Sequence, residues 1–214
     1  MTALDVRTLN AATPAAFAAA VAPLFEGAPR FLARLAEERP FDDWDGLFEI
    51  ARAIAHVMPE DEQVELVDAH PRLGAPPASM SALSSREQGH AAEMHTAGAR
   101  GHAAEVHTAG ARGHAAEVHT AGARGHAADE HTARDADDAA GAATVATELE
   151  RLNDAYERRF GFRYCVFVAG RPRASLLPEM SAALGDDRQA ELHRALDAVI
   201  DIARARRRAV AEGS

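Results

Sequence analysis

The chain has 214 residues, 47% of them apolar, enough for one domain with a sizeable core. Its net charge is −10 and all 23 basic residues are arginine, an acidic balance that argues against nucleic-acid binding. No apolar run reaches the ~18 residues of a membrane span, and the single cysteine, Cys165, excludes an intramolecular disulfide. The opening MTALDVRTLN has no basic region followed by an apolar one, so the expected setting is reducing and cytosolic.

Hydrophobic periodicity predicts an all-α, single-domain helical bundle over residues 1–214. Pro14–Leu24 places Phe17, Val21 and Leu24 at i, i+4 and i+7. Ala28–Glu38 follows and stops before Pro40. Asp42–Val57 carries Leu47, Ile50, Ile54 and Val57 on one stripe. Asp61–Ala69 is a short helix behind Pro59, with an acidic first turn that suits the helix dipole.

A tandem repeat then interrupts the pattern. GHAAEMHTAGAR at 89–100 is followed by two copies of GHAAEVHTAGAR and a degenerate fourth, so residues 89–134 form a His/Ala/Gly-rich insertion. It holds eight of the eleven histidines. A period of twelve rotates each copy about 120° around a helix, so no continuous apolar face results. The expectation is a partly helical or disordered surface segment. Within a copy the histidines lie five apart, whereas two ligands on one helical face want three or four, so no metal site is assigned.

Helical patterning returns in Ala143–Arg159, with Val145, Leu149, Leu152 and Tyr156 on one face and Gly161 as a stop. Arg163–Ala169 holds the only β-like run. One such run cannot make a sheet, so an extended, buried connection is expected. Arg173–Leu184 and Asp187–Ala211 close the bundle.

Three residues stand out, each with a plain alternative. His70 ends a helix and precedes Pro71, which disfavours the α conformation before it. Its ring suits general acid or base work at neutral pH, or simply favours a helix C-terminus. Glu87 completes a Ser84-x-x-Glu87 capping box, which explains it structurally, although a helix start also suits an anionic substrate. Arg206 continues the stripe Leu192, Leu196, Val199, Ala203. It is either buried against an anionic partner or reaches out to water from the last turns.

His70-Pro71-Arg72-Leu73-Gly74, Ser84-x-x-Glu87-Gln88 and Leu152-Asn153-x-x-Tyr156-x-x-Arg159-Phe160-Gly161-Phe162 stand in an order that resembles the 2-oxo-4-hydroxy-4-carboxy-5-ureidoimidazoline (OHCU) decarboxylases. Leu9-Asn10, Phe17, Leu24-Phe25-Glu26, Arg39-Pro40-Phe41 and Ile202-Ala203-x-x-Arg206 add to the likeness, which spans the chain except the repeat. The resemblance implies a cofactor-free, metal-free all-α enzyme converting OHCU to (S)-allantoin in urate degradation, and suggests a homodimer. It implies catalytic roles for His70, Glu87 and Arg206. It further implies substrate contacts from Pro71, from Ser84, Ser85, Arg86 and Gln88, and from Tyr164, Cys165, Val166, Phe167 and Val168. Two departures are visible. Arg72 replaces the aspartate of the frequent His-Pro-Asp-Leu form, and the repeat starts directly after Gln88. The competing reading keeps the fold without the enzyme: a relative whose His-rich repeat binds metal or a partner.

Overall fold

The computed structural model of the chain describes residues 5–76, 81, 84 and 126–212. The helices among the described residues are α1 (Val6–Ala11), α2 (Pro14–Val21), α3 (Pro29–Glu37), α4 (Trp44–Val57), α5 (Glu60–Asp68), α6 (His126–Phe160), α7 (Arg173–Ala183) and α8 (Arg188–Glu212), with a 3-10 turn at Ala22–Leu24. The described residues contain no strand. The first three repeat copies, together with Ser85, Arg86, Glu87 and Gln88, lie outside the described residues.

Local chemistry sets most of the starts. Thr13 caps α2, its hydroxyl accepting from the Ala16 N–H at 3.2 Å, and Pro14 occupies the first helical position. Asp43 caps α4 by accepting from Gly46 N–H at 2.8 Å. Pro59 and the acidic trio Glu60, Asp61 and Glu62 start α5, as the sequence leads one to expect. Gly161, at φ +79°, ends α6 by turning the chain back through a left-handed conformation.

Helix α8 is the axis of the bundle. It packs against α4, α5 and the 3-10 turn, while α2 packs on α3, α3 on α4, and α7 on α6. Its buried face is Leu192, Ala195, Leu196, Val199, Ile202 and Ala203, ending in Arg206. The 3.6-residue period therefore runs unbroken from the apolar stripe onto a guanidinium. Each large apolar side chain removed from water on this face contributes about 1.5–3 kcal/mol before entropy is counted. Across the interface sit Leu47, Phe48, Ala51 and Ala55 of α4 and Leu66 and Val67 of α5, all essentially inaccessible.

Two differences from the sequence expectation have clear causes. Helix α1 was not expected: six residues are too short for a periodic signal, and only Val6 and Leu9 anchor it in the core. Nearby, Asn10 and Phe41 exchange two hydrogen bonds, at 2.8 and 3.0 Å, tying α1 to the loop before α4. Helix α6 begins at His126, inside the fourth repeat copy, well before the expected Ala143. Alanine-rich sequence propagates a helix without needing a buried face, which is why periodicity missed it.

The run after Phe160 is an extended connection, as expected. Phe160, Phe162 and Tyr164 fold back on Tyr156 with ring centroids 4.5–5.7 Å away, which presses residues 163–168 against the core. No helix among the described residues is long and apolar enough to cross a membrane.

Candidate active site

Helix α5 delivers His70. The chain leaves the helix at Ala69, where the N–H still bonds the Glu65 carbonyl at 3.0 Å, and Pro71 prevents continuation. His70 is 4% exposed. Its Nδ1 lies 3.3 Å from the Leu66 carbonyl. A carbonyl only accepts, so Nδ1 carries the proton in the neutral ring, and Nε2 presents a lone pair. Nε2 has no hydrogen-bond partner among the described residues. Burial lowers the His70 pKa to about 4, with the positive charge of Arg206 adding to the effect while Glu26 and the Leu66 carbonyl oppose it. At neutral pH the ring is therefore a neutral base in one fixed tautomer.

The His70 backbone is held from outside. Arg163 Nη1 donates to the Asp68 carbonyl at 2.7 Å and to the His70 carbonyl at 3.0 Å. The Arg163 N–H donates to the Asp68 carboxylate at 2.8 Å. Burial raises the Asp68 pKa, an effect the Arg163 N–H partly offsets. Asn153 of α6 donates to the Leu73 carbonyl at 3.0 Å, and Arg72 pairs with Asp154 at 2.5 Å and Glu157 at 2.7 Å. The unusual Arg72 thus ties the His-Pro segment to α6 rather than facing the pocket.

Arg206 is buried, which settles the alternatives its stripe left open. Its side chain is 1% exposed. Nη1 pairs with Glu26 at 2.9 Å and lies 3.3 and 3.2 Å from the Pro23 and Leu24 carbonyls. Nη2 donates to the Ser84 hydroxyl at 2.8 Å. Ser84 in turn donates to Glu26. Ser84 was expected to cap a helix. It is instead already helical, and its own N–H donates to Ser81 Oγ at 3.1 Å, so the capping serine is Ser81, one turn earlier. This frees the Ser84 side chain for the ion pair.

These groups converge on a cavity of about 40 Å³ walled by His70, Pro71 and Leu73, by Ser84, by Tyr164–Val168, and by Ile202 and Arg206. All five residues expected from the extended run, Tyr164, Cys165, Val166, Phe167 and Val168, line it. That run is held from behind by a buried polar cluster. Arg194 Nη1 donates to the Cys165 carbonyl at 2.9 Å and its guanidinium stacks 4.8 Å from the Tyr164 ring centroid. Glu191, 2% exposed, accepts from Arg194 at 2.9 Å and from the Tyr156 hydroxyl at 2.7 Å.

Of the residues singled out from sequence, the structure brings together His70, Pro71, Ser84, Tyr164–Val168 and Arg206. Glu87, Ser85, Arg86 and Gln88 lie outside the described residues. Sequence reasoning missed Glu26, Arg163 and Arg194 as supports of the site. The requirement that a buried Arg206 find an anion pointed toward Glu26 but could not choose it among 33 acidic residues.

The family described as OHCU decarboxylase matches residues 10–112 and 113–208 of the chain. No curated protein matches the chain in sequence. Among solved structures, the crystal structure of an OHCU decarboxylase in the presence of (S)-allantoin has a TM-score of 0.55 at 17% identity, covering 89% of this chain and 96% of that one. The crystal structure of an (S)-allantoin synthase has a TM-score of 0.56 at 15% identity. There the alignment covers 96% of this chain but only 54% of that one. The fold is therefore the all-α scaffold that these two proteins share. The chain itself belongs to the OHCU decarboxylase family.

Proposed function

We propose that the cavity around His70 decarboxylates OHCU to (S)-allantoin in urate degradation, with protein groups alone performing the chemistry. The observation that carries this reading is the His70 ring: buried, neutral, fixed in one tautomer, with its Nε2 unpartnered among the described residues, on a residue that walls the cavity.

The reaction breaks the bond from the hydroxyl-bearing ring carbon to its carboxylate. CO2 leaves neutral, the electron pair passes into the conjugated ring, and a ring nitrogen takes up one proton from water. The hydroxyl proton must depart as that carbon becomes a carbonyl, and the ureido-bearing carbon must gain a proton. Neutral His70 has the lone pair to accept the hydroxyl proton, and as imidazolium it can return a proton to the neighbouring carbon. Delivery from one side fixes a single enantiomer. The Arg206 guanidinium, held by Ser84, presents a fixed polar group on the cavity wall, where it stabilises developing charge without reorganising. The main chain of Tyr164–Val168 supplies amide groups suited to the ureido and ring amide edges. Glu87 is assigned to orient His70 or the ureido nitrogens, and Ser85, Arg86, Gln88 and Pro71 to contact substrate, as the family resemblance implies.

The reading includes a cytosolic setting and a homodimer, the latter testable by light scattering. The deciding experiment generates OHCU in situ from urate and follows circular dichroism of the product. Rapid appearance of one enantiomer is expected. Slow, racemic allantoin from the folded protein would refute the reading.

A further inference from the structure

Glu26 stands behind the cavity wall rather than on it, and neither the pocket nor the motif roles assign it a task. It follows the 3-10 turn at φ +53°, a left-handed conformation that side chains other than glycine rarely adopt. Such a conformation persists where the surroundings over-determine it, and here they do. Its Oε1 accepts from Ser81 Oγ at 2.7 Å, from Ser84 Oγ, and from Arg206 Nη1 at 2.9 Å. The Ser84 hydroxyl has one proton and spends it on Glu26, so it meets Arg206 Nη2 with a lone pair. Glu26, Ser84 and Arg206 thus close a ring with every donor direction fixed. Burial alone would raise the Glu26 pKa, but the two serine hydroxyls and the Arg206 guanidinium hold it below the ordinary value, so it is charged.

We propose that Glu26 is a positioning residue for the decarboxylation: one carboxylate oxygen aligns Arg206 and Ser84 on the cavity wall and neutralises the guanidinium, so that the wall does not clamp the substrate's carboxylate. The chemistry gives the reason. The substrate carboxylate is anionic before reaction and leaves as neutral CO2. A bare buried cation beside it would stabilise the starting state more than the transition state, and interactions stronger in the starting state slow the step. An internally paired guanidinium keeps its directional N–H groups while losing most of that grip. The proposal rests on the OHCU reading of the pocket.

Glu26→Gln in the full chain separates charge from geometry, because glutamine keeps an acceptor oxygen for Ser81, Ser84 and Arg206. The expected result is a fall in kcat of about tenfold, the equivalent of about 1.4 kcal/mol, accompanied by a fall in KM. Glu26→Asp, which keeps the charge, restores KM. Wild-type constants in Glu26→Gln, or a kcat loss with a raised KM as simple loosening would give, overturn the proposal. Should Glu26→Gln fail to fold, Glu26→Asp carries the test: it keeps the charge on a shorter arm, so kcat is expected to fall with KM unchanged, and a lowered KM overturns the idea. Calorimetry with allantoate, a ureido carboxylate, reads the charge effect without turnover. Tighter binding to Glu26→Gln than to wild type is expected, and equal or weaker binding counts against it even if the wild-type chain proves not to act on OHCU.

Discussion

Replacing Arg194 by methionine tests how the extended wall is held. Arg194 makes paired contacts to Glu191, bonds the Cys165 carbonyl at 2.9 Å, and covers the Tyr164 ring. Removing one partner of a fully buried ion pair costs about 3–5 kcal/mol, because the other charge stays buried. Glu191 is that buried charge, at 3% side-chain exposure, whereas Arg194 is 36% exposed. Water can therefore take part of its place, and the Tyr156 hydroxyl still serves Glu191. The expected cost is accordingly nearer ~2–3 kcal/mol, which for a domain of this size lowers Tm by about 5–10 °C. Urea and thermal unfolding measure this directly. Adding Glu191→Gln removes the stranded charge and should recover part of the loss. In the same protein KM should rise, because residues 164–168 lose their rear support. An Arg194→Met protein with unchanged Tm and KM would refute the view that this cluster shapes the pocket.

Two further outcomes follow from the His70 platform. His70 titrates near 6.5 when unfolded and near 4 when folded, so the unfolded chain binds more protons between those values. Stability attributable to His70 is whole above pH 6.5 and falls as pH drops toward 4, by about 3 kcal/mol across that window. The charged and titratable groups around the ring, Arg206 from α8, Glu26 after the 3-10 turn, and Cys165 and Tyr164 from the extended run, remain in place, so His70→Gln should flatten that part of the pH–stability curve. Equal slopes in both proteins would contradict a neutral buried ring. Separately, Arg163→Ala should lower kcat by roughly 10–100-fold, since misplacing a catalytic group by about 1 Å costs on that order. Steady-state kinetics that match wild type would show that the Asp68–His70 carbonyl clamp is dispensable.

How much was legible in the sequence depended on range. Arg206 was placed on the core face by the stripe Leu192–Leu196–Val199–Ala203, because that spacing is local and periodic. The extended run was legible for a similar reason: one apolar β-like segment has no partner strand, and Gly161 breaks the helix before it. His70 was marked by its proline neighbour alone. Glu26 was noted only as part of the Leu24-Phe25-Glu26 likeness; its role was not legible, since its pairing with Arg206 spans 180 residues of chain and depends on how α8 meets the 3-10 turn. Ser84 was misread as a cap because Ser81 offers a competing serine one turn earlier, and only the fold decides which hydroxyl faces Arg206. The early start of α6 escaped because periodicity reports burial, and an alanine-rich helix can form without it.

The central claim, that His70 is the proton-handling group of an OHCU decarboxylase, is tested most directly by comparing wild type with His70→Asn on freshly generated OHCU. Far-UV circular dichroism and Tm confirm folding of both proteins alongside. The expected result is rapid formation of (S)-allantoin by wild type and a loss of at least ~10²-fold in the variant, the scale of general acid–base catalysis. A folded His70→Asn protein that turns over OHCU at the wild-type rate would contradict the account.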